Sequence, residues 1–309
     1  MRLVVALGGN ALLPRGAAPG ARLQRERAAR AAAALAPLAA RHELVLTHGN
    51  GPQIGLLALE RDADPRSGPY PLDMLDAETE GMLGYLLQQE VGNVLAPGRP
   101  CVTVLTQVEV AADDPAFAAP DKPIGAVYVQ EDAARLAALH GWQVMADGAG
   151  WRRAVASPAP RAVVELAAIT ALLDMGTVVI CAGGGGIPVT RDTDGRLAGV
   201  EAVVDKDATS ALLARELQAD ALLLLTDVPA VELDWGTAHP RALRTAGVAS
   251  LARVPFAAGS MAPKVRAACD FVTATGNMAA IGRLEDAAEI LARRAGTRVL
   301  AELGGATFW

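Results

Sequence analysis

The sequence predicts an α/β fold in which helices cover a mainly parallel central sheet. Short apolar runs alternate with longer helical patterns along the chain, which is typical of parallel strands joined by crossover helices. Hydrophobic residues make up 52% of the chain and aromatic residues only 4%, so the core is built of small and medium aliphatic side chains. At 309 residues, the chain is long for one compact core, and we expect one large domain or two lobes.

The elements follow from this alternation, in chain order. The predicted strands are Leu3–Leu7, Glu43–Thr47, Cys101–Thr106, Thr177–Cys181, Ala221–Thr226, Met278–Ile281 and Thr297–Leu300. The predicted helices are Arg22–Arg41, Gln53–Glu60, Leu75–Val94, Arg161–Asp174, Ala208–Gln218, Pro263–Ala274 and Glu285–Arg293.

Two segments interrupt the alternation. From Ala111 to Pro160 the chain is rich in Pro, Gly and Asp, with a short helical pattern only at Glu131–Leu139. We expect an inserted subdomain or lid over the main sheet, because irregular segments of this length inside a domain are usually functional. The second segment, Val231–Phe256, predicts a hairpin or loop around "DWGTAHPRAL".

Composition excludes several classes of function. The net charge of −6 offers no basic surface for a nucleic-acid backbone, so no nucleic-acid partner is expected. No apolar run is long enough for a membrane span, and "LVVAL" after Met1-Arg2 is too short for a signal peptide. Cys101, Cys181 and Cys269 are widely spaced and read as buried thiols of a reducing compartment, neither a disulfide framework nor a metal site. The expectation is a soluble cytoplasmic protein.

Glycine clusters follow three predicted strands: "GGNA" at 8–11, "HGNGPQIG" at 48–55 and "AGGGGIP" at 182–188. Ligands of parallel sheets bind at the carboxyl ends of strands, where glycine lets backbone N–H groups approach an anion. Neither the Walker A pattern nor the Rossmann spacing is present. The clusters therefore indicate an anion site of another design, the alternative being turns with no ligand. Asn10 and Asn50 add amides that can donate to an anion or fix the loop.

Lysine is scarce: of 28 Lys and Arg residues only Lys122, Lys206 and Lys264 are lysine. Lysine carries a compact point charge, whereas the charged group of arginine is a broad planar fork. We therefore expect the three lysines to lie where an arginine side chain does not fit. The alternative is that three exposed lysines survive by chance. Phosphoryl transfer is the chemistry that most needs such charges, because it depends on positioning and cationic stabilisation.

Asp205 and Asp207 flank Lys206. Either carboxylate can orient the lysines or hold Mg²⁺ beside phosphates. A structural alternative for Asp207 is an N-cap of the following helix, and one residue can serve both purposes.

These motifs together resemble a carbamate kinase of the amino-acid-kinase superfamily. The resemblance runs end to end through "VVALGGNAL", "THGNGPQIG", "TEGMLGYLLQQE", "TQVEVAADDPAFAAPDKPIG", "GWRRAVASPAP", "ICAGGGGIPV", "GVEAVVDKDATSALLA", "LLLLTDV", "GSMAPKV" and "TGNMAAIGRLEDA". It implies a three-layer αβα sandwich (the amino-acid-kinase fold), a homodimer, and reversible Mg²⁺-dependent transfer between carbamoyl phosphate and ADP, giving ATP and carbamate.

The resemblance also implies roles for individual residues. One domain spans 1–309: a lobe at 1–175, with the lid at about 111–160, binds carbamoyl phosphate, and a lobe at 176–309 binds ADP or ATP. The expected catalytic residues are Lys122, Lys206, Lys264 and Asp207. The expected substrate-binding residues are Gly8, Gly9, Asn10, Gly49, Asn50 and Gly51. The expected nucleotide-site residues are Asp205, Gly183, Gly184, Thr226, Asp227, Gly259, Ser260 and Met261. No resident metal site made only of protein side chains is expected.

The chain departs from the family pattern at four positions. Glu80 stands where glutamine is expected, and Ala149, Pro229 and Ala258 replace arginine, aspartate and proline. Two alternatives to a carbamate kinase stay open: a kinase of the same superfamily for another small acid, and a non-catalytic sensor of carbamoyl phosphate or nucleotide. An inactive relative is expected to have lost at least one of the three lysines, and this chain keeps all three.

Overall fold

The computed structural model describes residues 1–13, 20–62, 70–237, 239–256, 261–302 and 305–309. Its strands are β1 Arg2–Leu7, β2 Glu43–His48, β3 Cys101–Thr103, β4 Gln107–Val110, β5 Lys122–Tyr128, β6 Gln143–Asp147, β7 Gly150–Val155, β8 Pro160–Val163, β9 Val178–Ile180, β10 Ile187–Arg191, β11 Leu197–Gly199, β12 Ala221–Thr226, β13 Glu232–Leu233, β14 Arg241–Gly247, β15 Met278–Arg283, β16 Thr297–Leu300 and β17 Thr307–Phe308. Its helices are α1 Gly9–Leu12, α2 Ala21–Ala39, α3 Gly51–Asp62, α4 Leu72–Val94, α5 Gln130–His140, α6 Leu166–Asp174, α7 Lys206–Glu216, α8 Val248–Leu251, α9 Met261–Thr275 and α10 Ala287–Leu291.

The central sheet is mostly parallel, as predicted. Its strands lie in the order β13-β14-β16-β15-β12-β1-β2-β9-β3, with β17 paired to β14. β1 lies parallel between β12 and β2, and β9 lies parallel between β2 and β3. Strand β9, from the second half of the chain, is thus inserted between two strands of the first half, and one sheet runs through both halves.

Helices cover both faces of this sheet. Val4 and Ala6 of β1 face the layer that contains α6, α7 and α9. Leu3, Val5 and Leu7 face the opposite layer, which contains α2, α4 and α10. Because successive strand residues point to opposite faces, a strand covered on both sides reads as one continuous apolar run, as "LVVAL" does. The resulting three layers confirm the predicted αβα sandwich.

Parallel strands bring four connections to one edge of the sheet. β1, β2, β9 and β12 all run in the same direction, so the turns that follow them begin side by side. These are the turns that contain the three glycine clusters and the Thr226-Asp227 pair. The topology therefore assembles segments far apart in sequence at the edge where ligands of α/β sheets bind.

The predicted insertion contains more regular structure than its sequence suggested. β5, β6 and β7 form a separate antiparallel sheet in the order β5-β7-β6, which we call the small sheet. Helix α5 matches the predicted segment Glu131–Leu139 and ends at Gly141 in the left-handed region (φ 70°). The three strands were not predicted, because their Pro, Gly and charged residues weaken the alternation expected of a strand.

A second sheet was also not predicted. It has the order β11-β10-β4-β8, and two sequence predictions fail because of it. The strand predicted as Cys101–Thr106 ends at Thr103, and the chain leaves the central sheet to continue as β4. The helix predicted from Arg161 begins only at Leu166, because Pro160–Val163 pairs with β4 as strand β8.

The other predicted elements agree with the structure apart from their ends, whereas α1, α8 and β17 were not predicted. The segment predicted as a hairpin forms β13 and β14, which pair antiparallel. The helix predicted at Glu285–Arg293 is a 3₁₀ turn, Leu284–Asp286, followed by α10. Among the described residues, no helix combines the length and the apolar character needed to cross a bilayer.

The contact between α3 and the small sheet gives a test of the packing. A Cβ on Gly55 of α3 would lie 1.9 Å from the Cα of Gly125 in β5. Gly55→Ala must therefore displace the small sheet, and we expect it to lower the free energy of unfolding by about 1–3 kcal/mol in urea titrations.

The matched control is Gly92→Ala in α4, where a Cβ meets no described atom within 4 Å. This variant is expected to gain about 0.5–1 kcal/mol, because alanine is the better helix former. Equal stability of the two variants would contradict the packing described here.

Candidate active site

Asp205 and Asp207, the two carboxylates that flank Lys206, lie at the start of helix α7. Asp205 is its N-cap, because one carboxylate oxygen accepts hydrogen bonds from the backbone N–H of Asp207 (2.9 Å) and of Ala208 (3.1 Å). The sequence alternative that Asp207 caps the helix is wrong: since Asp205 takes that position, the side chain of Asp207 is available for other contacts.

Asp207 joins two of the three lysines. Its Oδ1 accepts a hydrogen bond from Lys206 Nζ at 2.6 Å, and its Oδ2 accepts one from Lys264 Nζ at 2.9 Å. Lys206 comes from the first residue of α7 and Lys264 from the first turn of α9, so one carboxylate connects the starts of two helices. All three side chains are buried, with only 4–8% of each residue exposed.

The electrostatics of this group follow from burial and pairing. Burial alone would raise the pKa of Asp207, but the charges of Lys206 and Lys264 outweigh it and lower the pKa below its ordinary value. Burial and the nearby charge of Lys264 lower the pKa of Lys206. Burial also acts to lower the pKa of Lys264, but the Asp207 carboxylate outweighs it, and the pKa is raised. Asp207 is therefore an ionised acceptor at neutral pH.

Lys122 reaches the same place from the small sheet. It is the first residue of β5, and its Nζ lies 3.0 Å from Asp205 Oδ2. Burial would raise the pKa of Asp205, but the charge of Lys122 and the hydrogen bonds from Lys122 and the Ala208 N–H together lower it. We call Lys122, Lys206, Lys264, Asp205 and Asp207 the lysine cluster. With three cations and two anions, it carries one net positive charge.

The first two glycine turns lie against each other beside the lysine cluster. The Gly8 N–H donates to Leu225 O at 2.8 Å, and a Cβ on Gly8 would lie 3.0 Å from that oxygen. A Cβ on Gly49 would lie 3.1 Å from Gly9, and the second turn leads through Gly51 directly into α3. Close backbone approach therefore requires glycine here, and the N-terminus of α3 adds an environment favourable to anions.

The third glycine turn, Gly183–Gly185, lies on the second. Gly184 has φ +70°, and a Cβ there would lie 2.2 Å from Asn50 Nδ2. A Cβ on Gly183 would lie 2.5 Å from the ring of His48. Gly183 and Gly184 were expected at the nucleotide, and the structure places them in buried contact with the second glycine turn.

The side chain of Asn50 is committed to helix α4. Its Nδ2 donates to Asp76 Oδ1 at 2.7 Å and to Thr79 Oγ1 at 2.9 Å. An amide nitrogen carries two hydrogens, so both are used. Of the two sequence expectations for Asn50, the geometry favours fixing the loop over donating to an anion. The side chain of Asn10 lies outside the described residues.

The expected nucleotide side lies at the end of β12. Thr226 Oγ1 is 3.1 Å from Asp227 Oδ1, and both residues line a cavity of about 430 Å³. Arg27, Arg30 and Arg283 also line it. Met261 begins α9, three residues before Lys264, whereas Gly259 and Ser260 lie outside the described residues.

Sequence reasoning missed a buried polar group on α4. Asp76, Thr79 and Glu80 have no exposed surface, and Glu80 accepts hydrogen bonds from the backbone of Gly183 and Thr106. One signal was present: these polar residues recur at helical spacing on the side of α4 that also carries buried leucines. Because charged residues on a helix are usually solvated, this spacing received no functional interpretation in the sequence analysis.

Removing the carboxylate charge of Asp207 tests its connecting role. We expect Asp207→Asn to lower the free energy of unfolding by about 3–5 kcal/mol, because two buried ammonium groups lose their shared counter-charge. Asp132→Asn is the control, since its partner Arg135 is 66% exposed and surface ion pairs contribute about 0–1 kcal/mol. Urea unfolding at pH 7 measures both, and equal losses would show that Asp207 does not hold the two helices together.

Comparison with known proteins identifies the family of the chain. The sequence profile of the Amino acid kinase family matches residues 1–281. The carbamate kinase of Rhizobium meliloti is 52% identical, over 100% of this chain and 96% of that protein, and the carbamate kinase of Pyrococcus furiosus is 43% identical over 97% and 99%.

Solved structures give the same result. Carbamate kinase from Giardia lamblia bound to AMP-PNP superimposes with a TM-score of 0.87 at 38% identity, covering 97% of this chain and 98% of that one. An isopentenyl phosphate kinase from T. acidophilum, 14% identical with a TM-score of 0.58, shares the fold alone. Its sequence, its fold and its full-length relatives together show that the chain belongs to the amino acid kinase family and, within it, to the carbamate kinases.

Proposed function

We propose that this chain catalyses reversible phosphoryl transfer between carbamoyl phosphate and ADP, giving ATP and carbamate. The observation that carries the proposal is the lysine cluster, in which three ammonium groups from three separate elements pair with two carboxylates at the start of α7. Full-length similarity to carbamate kinases names the substrates.

The chemistry fits a site that supplies positive charge and fixed geometry. A terminal oxygen of ADP attacks the phosphorus, and the bond between phosphorus and the carbamoyl oxygen breaks. Carbamate leaves with that electron pair, then takes up a proton and decomposes to CO₂ and NH₃. Negative charge spreads over the oxygens of the phosphoryl group during transfer, so preorganised ammonium groups stabilise the transition state more than the ground state.

Each half of the chain has a separate substrate in this scheme. Gly8, Gly9, Asn10, Gly49, Asn50 and Gly51 hold carbamoyl phosphate, mainly through backbone N–H groups. Thr226, Asp227, Gly259, Ser260 and Met261 hold the nucleotide, with Asp205 beside it, whereas Gly183 and Gly184 support the second glycine turn. The small sheet acts as the lid and brings Lys122 over the transferring group.

Asp205 and Asp207 act as positioning residues for the lysines. Each carboxylate is an ion-pair partner, at 2.6–3.0 Å from an ammonium nitrogen. A phosphoryl group that enters between the lysines shares these donors, since an ammonium group has three N–H bonds and no single carboxylate uses them all. The carboxylates thereby keep the ammonium groups in place before the substrate arrives.

Mg²⁺ is proposed as a companion of the nucleotide phosphates. Among the described residues, no cluster of three His, Cys, Asp or Glu side chains could hold a metal ion. Mg²⁺ does not need such a cluster, because proteins commonly bind it through one or two carboxylates together with substrate phosphates. Asp205, Asp207 and Asp227 are the carboxylates at hand, and the ion would supply charge neutralisation. We further propose a cytoplasmic homodimer, as expected from sequence.

The direct test is to incubate the protein with carbamoyl phosphate, ADP and Mg²⁺ and to measure ATP by a coupled assay. We expect ATP formation that depends on all three. A panel with acetyl phosphate and other acyl phosphates tests the alternative that another small acid is the substrate. Efficient use of another acyl phosphate, without use of carbamoyl phosphate, would refute the proposal.

Replacing Lys206 by arginine tests the role of lysine shape. Lys206→Arg keeps the charge, but the planar fork does not fit a buried position 2.6 Å from Asp207. We expect turnover to fall by at least about 10²-fold, the scale seen when one preorganised charge stabiliser is lost. Arg215→Lys, the reverse exchange at an exposed position of the same helix, should leave turnover within about twofold. A Lys206→Arg enzyme at the wild-type rate would refute the argument from lysine shape.

A further inference from the structure

Helix α4 carries two buried carboxyl groups one turn apart, and each contacts a different glycine turn. Asp76 accepts a hydrogen bond from Asn50 of the second turn at 2.7 Å. Glu80 Oε1 accepts one from the backbone N–H of Gly183, in the third turn, at 2.8 Å. Its Oε2 accepts one from the Thr106 N–H at 3.2 Å, where the chain passes from β3 to β4. Neither carboxyl belongs to the lysine cluster.

The third glycine turn also contacts the start of α7. Thr209 Oγ1 of α7 donates to Gly185 O at 2.7 Å. A Cβ on Gly185 would lie 2.4 Å from Val204 O and 3.2 Å from the Lys206 nitrogen, and its φ of +113° also requires glycine. The turn is therefore in tight contact with the backbone that begins α7. A contiguous path runs from Glu80 through Gly183–Gly185 to Lys206.

The two hydrogen bonds of Glu80 require its ionised form. Each carboxylate oxygen faces a backbone N–H donor, so the ionised group satisfies both. A proton on either oxygen would face an N–H group and remove one of the bonds, leaving a buried donor without its acceptor.

We propose that Glu80 is a positioning residue for phosphoryl transfer: its ionised carboxylate holds Gly183 and Thr106 together and thereby fixes the start of α7 with Lys206 and Asp207. The proposal rests on the proposed function. It follows that turnover depends on the loss of one proton from a residue that touches no substrate.

The surroundings of Glu80 place this proton loss near physiological pH. Burial raises the pKa of Glu80 to about 8, although the N–H groups of Thr106 and Gly183 oppose the shift. The charge of Glu165, which precedes α6, adds to the increase. Burial also raises the pKa of Asp76 on the same helix well above its usual value, and Lys122 partly opposes that rise.

Two further titratable groups that face this region, His48 and Cys181, are neutral at physiological pH. Burial, together with the charge of Lys206, lowers the pKa of His48 in β2 to about 4. Burial raises the pKa of Cys181, at the end of β9, well above its usual value, and the charges of Glu80 and Glu165 add to this. Between pH 7 and 9, neither His48 nor Cys181 therefore changes charge.

The proton has opposite effects on stability and on activity. Because the folded pKa of Glu80 lies above its unfolded value of 4.5, the folded state binds the proton more tightly. Stability therefore falls as the pH rises from about 4.5 to about 8. Activity rises over pH 7–9, where the ionised form appears.

The test compares kcat of the wild type, Glu80→Gln and Glu90→Gln from pH 6.5 to 9.5. Glutamine keeps the shape but offers one acceptor at every pH, and Glu90 is a matched glutamate of α4 whose side chain bonds Asn93. We expect the ratio of wild-type to Glu80→Gln kcat to rise about tenfold from pH 7 to pH 9, following the ionised fraction. The ratio of wild-type to Glu90→Gln should stay constant. A constant ratio for Glu80→Gln would overturn the proposal.

A second readout does not use activity. The urea midpoint of the wild type should fall relative to that of Glu80→Gln as the pH rises from 5 to 9, and a pH-independent difference would overturn the proposal. If Glu80→Gln does not fold, the ¹³Cδ signal of Glu80 in the wild-type protein should titrate near pH 8, and a midpoint below about 6 would overturn the proposal. Absence of ATP formation by the wild type at every pH would refute the proposed function instead.

Discussion

The site depends on one carboxylate that is shared by two buried ammonium groups. Lys206 and Lys264 are each 8% exposed, and a buried charge is tolerated only when it is paired and hydrogen-bonded. Asp207 provides that pairing to both at 2.6 and 2.9 Å, so the starts of α7 and α9 must come together for either lysine to be buried. The same arrangement leaves an excess of positive charge at the edge of the sheet. The contacts that stabilise this part of the fold are thus the same ones that hold the charges we propose for phosphate binding.

Close backbone packing of the glycine turns forms the second part of the site. Three glycine turns lie so close to one another that a Cβ on Gly49 or Gly184 would meet neighbouring atoms at 3.1 or 2.2 Å. Helix α4 fixes the second and third glycine turns through hydrogen bonds to Asp76 and Glu80. The lysines come from the starts of helices and from the small sheet, whereas the turns come from the ends of parallel strands. The site therefore exists only when both halves of the chain contribute to one sheet.

The sequence predicted most of this, for reasons that can be named. Continuous apolar runs such as "LVVAL" identify doubly covered strands, and the scarcity of lysine picked out the three cations that the fold brings together. The strands of the small sheet were missed because their composition lacks alternation. Asp76 was missed, and Glu80 was noted only as a departure from the family pattern, because hydrophobic spacing shows which side of a helix is buried but not which charged residues are buried with it. The strand predicted as Cys101–Thr106 ends early, at Thr103, because an apolar run does not show where the chain leaves one sheet for another.

The most direct test of the central claim is a crystal structure of the protein with ADP, Mg²⁺ and aluminium fluoride, a mimic of the transferring phosphoryl group. We predict that the Nζ atoms of Lys122, Lys206 and Lys264 all lie within about 3 Å of the fluoride or phosphate oxygen atoms, with Asp207 still between the latter two. A structure in which any of these ammonium groups points into bulk solvent while the mimic is bound elsewhere would contradict the account.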